Sequence, residues 1–445
     1  MSQVKTTQGY LIESAIINST RQLEPLDIGP IISDIEIFEH LDLPYLTGQI
    51  AMMDTFRLYD RLDFQGAETI ILSIKQSEKD EPVVKTFVID KLIANKKTNE
   101  QTDLIMFHIV EDIVFKSNLQ NVNKAYSGDP IDIVTKISEE WLNKKIDSYI
   151  TDVFQKKIKV IVPNLSPLDA MAWMKNRATT SKGFPTYLFS SFATENLIAY
   201  DLKQLMERQP INIKSPFIFG VSNHDMEILP FKHVPIKDYS IEDIEDLYAL
   251  IDEGLVGAEH EFIDTHTFRR KTHKFNVELD VFENLLEGKK ENKITTFANN
   301  FEIDDVSLQN YKSKKIVQVT QSGAYDDGTA RYKSYDQEFE GSDDAKKIMA
   351  RAMKKFLLKA PISIRIDGAG FIDGKGHYTT GNTVRILFLA NRPQTAGNVK
   401  LDLKKSGDYL IYQAKHAFGS SRYNIHLKCV KLSNFTDDNP LKVIG

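Results

Sequence analysis

The chain has 445 residues, with 56 lysines and arginines against 62 aspartates and glutamates and a net charge of -6. That length exceeds one ordinary hydrophobic core and predicts about two to four packed units, and a mixed, mildly acidic charge argues against a protein whose main task is gripping a phosphate backbone. The one cysteine, Cys429, excludes an internal disulfide framework and a cysteine-rich zinc site. Apolar runs such as Thr69–Ile74 and Arg385–Ala390 fall well short of the roughly 20 residues a membrane helix needs, and Met1-Ser2-Gln3-Val4-Lys5 has no apolar signal core, so the cytosol or a virion is the expected location.

The first stretch reads as antiparallel sheet. Asp34-Ile35-Glu36-Ile37 alternates polar with apolar, and Ile70, Leu72 and Ile74 share one strand face. Asn18–Thr20, Gly48, Gly66, Lys75–Pro82 and Asn95–Asp103 read as turns or loops between strands. At Asp129-Pro130 a capping carboxylate and a first-turn proline open a helix with Ile131, Val134, Ile137 and Trp141 on one face. Ser166-Pro167-Leu168-Asp169 repeats that logic for a helix ending near Gly183, after which Tyr187–Phe189 and Leu197–Tyr200 read as two strands.

Beyond Ile211 the texture returns to strand. Ser240 reads as the cap of a helix through Ile241, Ile244, Leu247 and Ile251 that stops at Gly254, and Phe275–Val281 alternates as a half-buried strand. Asn284–Gly341 is polar and contains an expected hairpin, Ile316–Val319 with Arg331–Tyr335, around Gly323 and Gly328. A helix from Ser342 to a stop before Pro361 follows, then strands at Ile362–Ile366, Val384–Phe388, Tyr409–Tyr412 and Tyr423–Val430. Apolar side chains on outer strand faces, Ile71, Leu387 and Phe282, are expected at contacts between domains or subunits.

No pattern for chemistry emerges. His260, His266 and His273 have neither zincin nor paired-finger spacing. Gly368, Gly370, Gly374, Gly376 and Gly381 lack a Lys-Ser/Thr ending and precede a strand, so they read as hairpin glycines. Asp326-Asp327-Gly328 lacks the later acidic positions of a calcium loop. Cys429 shares a strand face with Ile425 and Leu427 and reads as a buried apolar residue, with His426 on the opposite face. No catalytic, cofactor-binding or metal-ligating residue is assigned, and the chain is expected not to be an enzyme.

Three stretches carry a resemblance. Asp34–Ile50 followed by Arg61–Thr69 resembles the first tube domain of the baseplate central hub of T-even-like contractile-tailed phages. Ser166–Ala178 with Tyr187–Phe192 is similar to the helix and strand of that family's second domain. Gly381–Ile386, Ser406–Tyr412, His416–Phe418 and Tyr423–Val430 resemble the closing strands of hub and type VI secretion spike proteins.

The resemblance implies a β-rich α+β chain with two tube-type antiparallel β-barrel domains and a mixed α/β domain between them. The expected units are 1–127 for the first tube domain, 128–213 for the mixed domain, 214–290 with 361–435 for a discontinuous second tube domain, and 291–360 for an insert with hairpin and helix. It further implies a structural hub in a virion tail baseplate, assembled in the host cytoplasm. Such a hub is a homotrimeric ring adapting a hexameric tail tube to a trimeric tail spike around a channel for DNA. Its partners would be the spike protein, tail-tube or tube-initiator proteins and surrounding baseplate wedge proteins, with no membrane and only transient, non-specific passage of DNA. A tube initiator and a tail-associated glycan hydrolase are the alternative readings.

Overall fold

The computed structural model describes residues 9–19, 21, 24–59, 64, 66–75, 81–98, 101–150, 152, 158–220, 229–242, 247–264, 268, 270–282, 302–303, 305–307, 314–320, 342–358, 361–368, 378–391, 399–419 and 422–444. Within the first 111 residues, alternating apolar side chains give strands β1 (Leu11–Asn18), β2 (Leu26–Asp27), β3 (Ile32–His40), β4 (Thr47–Asp54), β5 (Thr69–Lys75), β6 (Val83–Lys97) and β7 (Asp103–Glu111). Ile35 and Ile37, Ile50 and Met52, Ile70, Leu72 and Ile74, and Ile105, Phe107 and Ile109 are buried on one face of the sheet they form. Gly48, expected in a turn, lies inside β4. A Cβ there would come within 2.6 Å of the Glu36 carbonyl oxygen, so glycine permits the close approach of β3.

The middle of the chain mixes short elements: α1 (Asp112–Asn118), β8 (Ala125–Gly128), α2 (Pro130–Ile137), β9 (Ile146–Ser148), β10 (Ile158–Ile161), α3 (Pro167–Lys175), β11 (Thr186–Phe189), β12 (Leu197–Asp201) and α4 (Leu202–Glu207). Both expected helix starts are present, but by different means. Ser166 Oγ accepts from the Asp169 N–H at 3.3 Å, whereas the Asp129 side chain makes no capping bond and Pro130 alone marks the first turn of α2. Ile133, Val134 and Ile137 pack with Met171, Met174, Leu188 and Leu197 in a core of their own.

The remainder contains β13 (Phe217–Phe219), β14 (Val234–Pro235), β15 (Asp238–Ile241), α5 (Leu247–Asp252), β16 (Gly257–Asp264), β17 (Arg270–Asn276), β18 (Glu302–Ile303), β19 (Val306–Ser307), β20 (Lys315–Thr320), α6 (Ser342–Leu357), β21 (Ile362–Asp367), β22 (Thr383–Phe388), β23 (Gly407–Gly419), β24 (Arg422–Asn434) and α7 (Pro440–Ile444). β16 to β20 stand apart from the large sheet, with β16 between β17 and β20. Ser240 caps no helix: it pairs with Ser363 as part of edge strand β15, and the helix begins at Leu247 among the described residues. The strand expected through Val281 ends at Asn276, because its side-chain oxygen accepts from the Glu278 and Leu279 N–H groups and turns the chain into a short helical turn, Glu278–Phe282. β20 pairs parallel with β16; the expected partner at 331–335 lies outside the described residues.

The result is a β-rich α+β chain dominated by one large curled sheet of fourteen strands. Its first half runs β3-β4-β7-β6-β5-β1-β2 and its second β15-β21-β24-β23-β22-β13-β14. Numbered in chain order within each half, both sequences of neighbours read third, fourth, seventh, sixth, fifth, first, second. The third to seventh strands are antiparallel throughout in both halves. Only the flank differs in sense: β1 is antiparallel to β5, whereas β13 is parallel to β22. The second half curls on itself, since the Tyr239 ring of β15 meets Phe388 of β22 at 4.9 Å, although three strands separate them in the sheet.

β23 joins the halves. Its residues Gly407–Leu410 pair with β22, and beyond a bulge Gln413–Gly419 pair on that side with His40–Asp34 of β3, while β24 follows β23 along its other edge. Helix α6 covers the opposite sheet face there, with Ile348, Ala352 and Met353 against Leu410, Tyr412 and Val430. Leu387 and Phe282, expected at contacts between domains or subunits, are buried within the chain, Leu387 beside Ile218 and Leu401 and Phe282 against the Phe356 ring at 5.4 Å. Ile71 is half-buried.

Candidate functional site

Residues from each of the three parts of the resemblance, Glu39, Phe192 and His416 with Tyr423, meet at this joint. Glu39 on β3 is 2 % exposed, and its carboxylate accepts from the Phe192 N–H at 2.7 Å, the Thr380 N–H at 2.9 Å and the Thr380 hydroxyl at 3.1 Å. Its fourth partner is His416 Nε2 of β23 at 3.2 Å, and His416 Nδ1 lies 2.9 Å from the Tyr423 hydroxyl of β24. Burial works to raise the carboxyl's pKa, but the His416 imidazole and the Thr380 and Phe192 N–H groups outweigh it and hold it below the ordinary value. The Phe192 ring lies between the halves, 5.7 Å from His416 and 6.2 Å from Phe418.

Further polar ties hold the middle unit against the same place. Lys85 on β6 donates to the Ser191 carbonyl at 2.9 Å and to the Thr194 carbonyl, and burial of its amine lowers its pKa. Glu111, at the end of β7, accepts from the Leu46 N–H at 3.0 Å, the Ser190 hydroxyl at 2.9 Å and Lys144 at 3.1 Å. Asp42 receives Lys175 of α3 and, at 2.9 Å, Lys354 of α6. Burial opposes the Asp42 charge, yet two amines overcome it and its pKa falls; burial also lowers Lys354, whose share of one carboxylate does not offset its own loss of water. Satisfied on every side, these groups fix geometry and offer no free nucleophile or base.

Beside helix α6 the sheet face turned away from the apolar core of the joint is polar. A groove of about 550 Å³ crosses it from Asp238 and Arg365 through His426 and Lys428 to Lys415 and Phe38. Two of its cations are paired: Lys415 meets Glu36 at 2.6 Å and Lys428 meets Glu242 at 3.5 Å. Burial, with the Lys415 and Arg365 cations nearby, keeps the His426 pKa below its ordinary value. Such a surface is hydrophilic but holds little unpaired positive charge.

Of the residues weighed for chemistry, His260 and His273 are cross-strand partners on β16 and β17, whereas Cys429 and His426 lie on the large sheet. Cys429 is fully buried and its thiol pKa is pushed up by burial, as expected of a core residue, and His426 does face the other way. His260 is buried, with Nε2 at 3.0 Å from the Gly254 carbonyl, and His273 approaches Asp280 at 3.3 Å. Among the described residues no three metal-ligating side chains cluster. Gly381 has φ +81° in the turn before β22; His266, Gly370, Gly374, Gly376 and Asp326–Gly328 lie outside the described residues. The Glu39 network was missed because its members are scattered along the chain, although a glutamate at a core-facing position of a clean strand was a visible signal.

No protein-family model matches the sequence, and no curated protein matches it. Solved structures do match over nearly the whole chain. The 43 kDa tail protein of prophage MuSo2 from Shewanella oneidensis superposes with a TM-score of 0.53 at 9 % identity, covering 94 % of this chain and 98 % of that one. A tail protein from Neisseria meningitidis MC58 gives the same TM-score at 10 % identity over 95 % and 97 % of the two chains. A weaker likeness, TM-score 0.40 at 8 % identity, extends to a component of the Escherichia coli type VI secretion system, over 94 % of this chain and 78 % of that one. The fold is thus that of phage tail proteins. Its architecture is two similarly ordered sheet halves joined edge to edge.

Proposed function

We propose that the chain is the central hub of a contractile-tail baseplate, a non-enzymatic ring of three copies joining a hexameric tail tube to a trimeric spike. The observation that carries this reading is the repeated strand order of the two sheet halves. Three chains with two like halves each present six similar units to a tube while keeping true three-fold symmetry for a spike, which resolves the mismatch between the two. The halves act as two tube domains, built from 11–111 and from 217–241 with 362–434; the middle elements and the excursion between β15 and β21 lie outside them. The polar, charge-paired face lines the channel, where DNA passes without being held. Spike, tube-initiator and wedge proteins are the partners, and the virion tail is the location after assembly in the host cytoplasm.

Light scattering on the purified chain, followed by electron microscopy of the particles, tests this. A mass of three chains and a three-fold ring with an open centre are expected. A stable monomer at micromolar concentration, or a ring of another order, overturns the reading.

A further inference from the structure

The joint inside the chain supplies a template for the joint between chains. In the second half the sixth strand, β23, extends past the fifth, and its free edge is taken by the third strand of the first half, β3. The sixth strand of the first half, β6, likewise extends past β5: the pairing of β5 ends at Val88, yet β6 continues along β7 to Lys97. Among the described residues no strand takes that edge, and Asp90–Ile93 and Asn95–Lys97 are exposed, Leu92 by 39 % and Ile93 by 42 %. At the other end of the sheet β15, the counterpart of β3, pairs among the described residues only with β21 and leaves Ile241 50 % exposed. A bare edge of this kind invites another strand.

We infer that β6 of one copy pairs antiparallel with β15 of the next, repeating the β23–β3 joint; the inference rests on the ring reading above and specifies its contact. The register follows from the internal joint. Thr383 pairs with Leu410 in one half and Thr69 with Val88 in the other; beyond these pairs β23 carries one bulge and β6 two, so the long strands are aligned through their neighbours, His416 against Ile425 of β24 and Asn95 against Ile105 of β7. β15 is placed against β3 in the same way, since Ile241 pairs with Ile362 and Ile37 with Gly48, whose next partners are Cys429 and Ile109. Transferring His416–Ile37, Ala417–Glu36, Phe418–Ile35 and Gly419–Asp34 sets Asn95 opposite Ile241, Lys96 opposite Ser240, Lys97 opposite Tyr239 and Thr98 opposite Asp238. The chemistry agrees with that register. Leu92 falls diagonally beside Ile241, and Lys96 falls diagonally beside the Asp238 and Glu242 carboxylates.

Oxidation of the full-length chain carrying paired cysteines tests the contact, with Lys96→Cys plus Ser240→Cys and, separately, Asn95→Cys plus Ile241→Cys to sample both kinds of cross-strand pair. Disulfide-linked species of two and three chains are expected on a non-reducing gel from the matched pairs. Leu92→Cys with Asp238→Cys, about 17 Å out of register at about 3.3 Å per residue, should give none. If the variants form a ring by light scattering yet do not cross-link, or link only within one chain, the contact is wrong and the ring stands. Variants and unaltered chain that are all monomeric overturn both.

Discussion

Glu39 shows how one residue holds several elements. A buried carboxylate with four donors around it contributes stability only while charged and fully bonded, and removing it strands the Phe192 and Thr380 N–H groups away from water. Glu39→Ala is therefore expected to cost about 3–5 kcal/mol, the range for breaking a buried charged pair, read as a lowered midpoint of urea unfolding. Glu39→Gln should cost less, because its amide oxygen still accepts one bond. The pH dependence has a definite sign. The folded pKa lies below the ordinary 4.5, so the stabilisation is present above that value and is lost as the pH falls through the folded pKa. Acid unfolding followed by circular dichroism should show a shallower loss of stability below pH 4.5 in Glu39→Ala than in the unaltered chain.

Among the elements, the Ser190–Asn196 connection between β11 and β12 matters more than its length suggests. Phe192 fills the inner face of the joint and is fully buried, so Phe192→Ala should cost about 3–5 kcal/mol. The loss should be local as well as global: amide hydrogen exchange is expected to quicken first in 34–40 and 413–419, the two sides of the joint. Equal acceleration across all strands would contradict that placement. The strands themselves were largely legible, because Asp34–Ile37 and Ile362–Ile366 bury one face and alternate cleanly, while Ile70–Ile74 and Val384–Phe388 keep the alternation of their core face although Ser73 and Leu387 are buried on the other. Where the reading went astray, a non-local contact or a side chain overrode the pattern. Ser240 has the chemistry of a helix cap but is claimed by pairing with Ser363, and Asn276 ends a strand whose alternation continues past it. The joint could not be read at all, since Glu39, Phe192, Thr380 and His416 come together only through folding.

At the scale of the whole molecule, the repeated strand order and the polar face bear on one another. If the face lines a channel, its charges act on any polyanion that passes, and unpaired cations would add phosphate contacts whose release of counterions strengthens binding. Pairing prevents this, because Lys415 and Lys428 face Glu36 and Glu242. Neutralising the acids while keeping the side-chain shape, by Glu36→Gln with Glu242→Gln, frees two cations per chain. These pairs are partly exposed, so little stability should change, on the order of 0–1 kcal/mol. The effect on DNA should be larger. Fluorescence anisotropy with a short labelled duplex is expected to show tighter binding by the double variant at low salt, and a steeper fall of affinity with salt concentration. Each additional phosphate contact raises the slope of log affinity against log salt by about 0.9. An unchanged slope would place the face away from the path of DNA, whereas strong binding by the unaltered chain would mean that the passage holds what it is meant to let through.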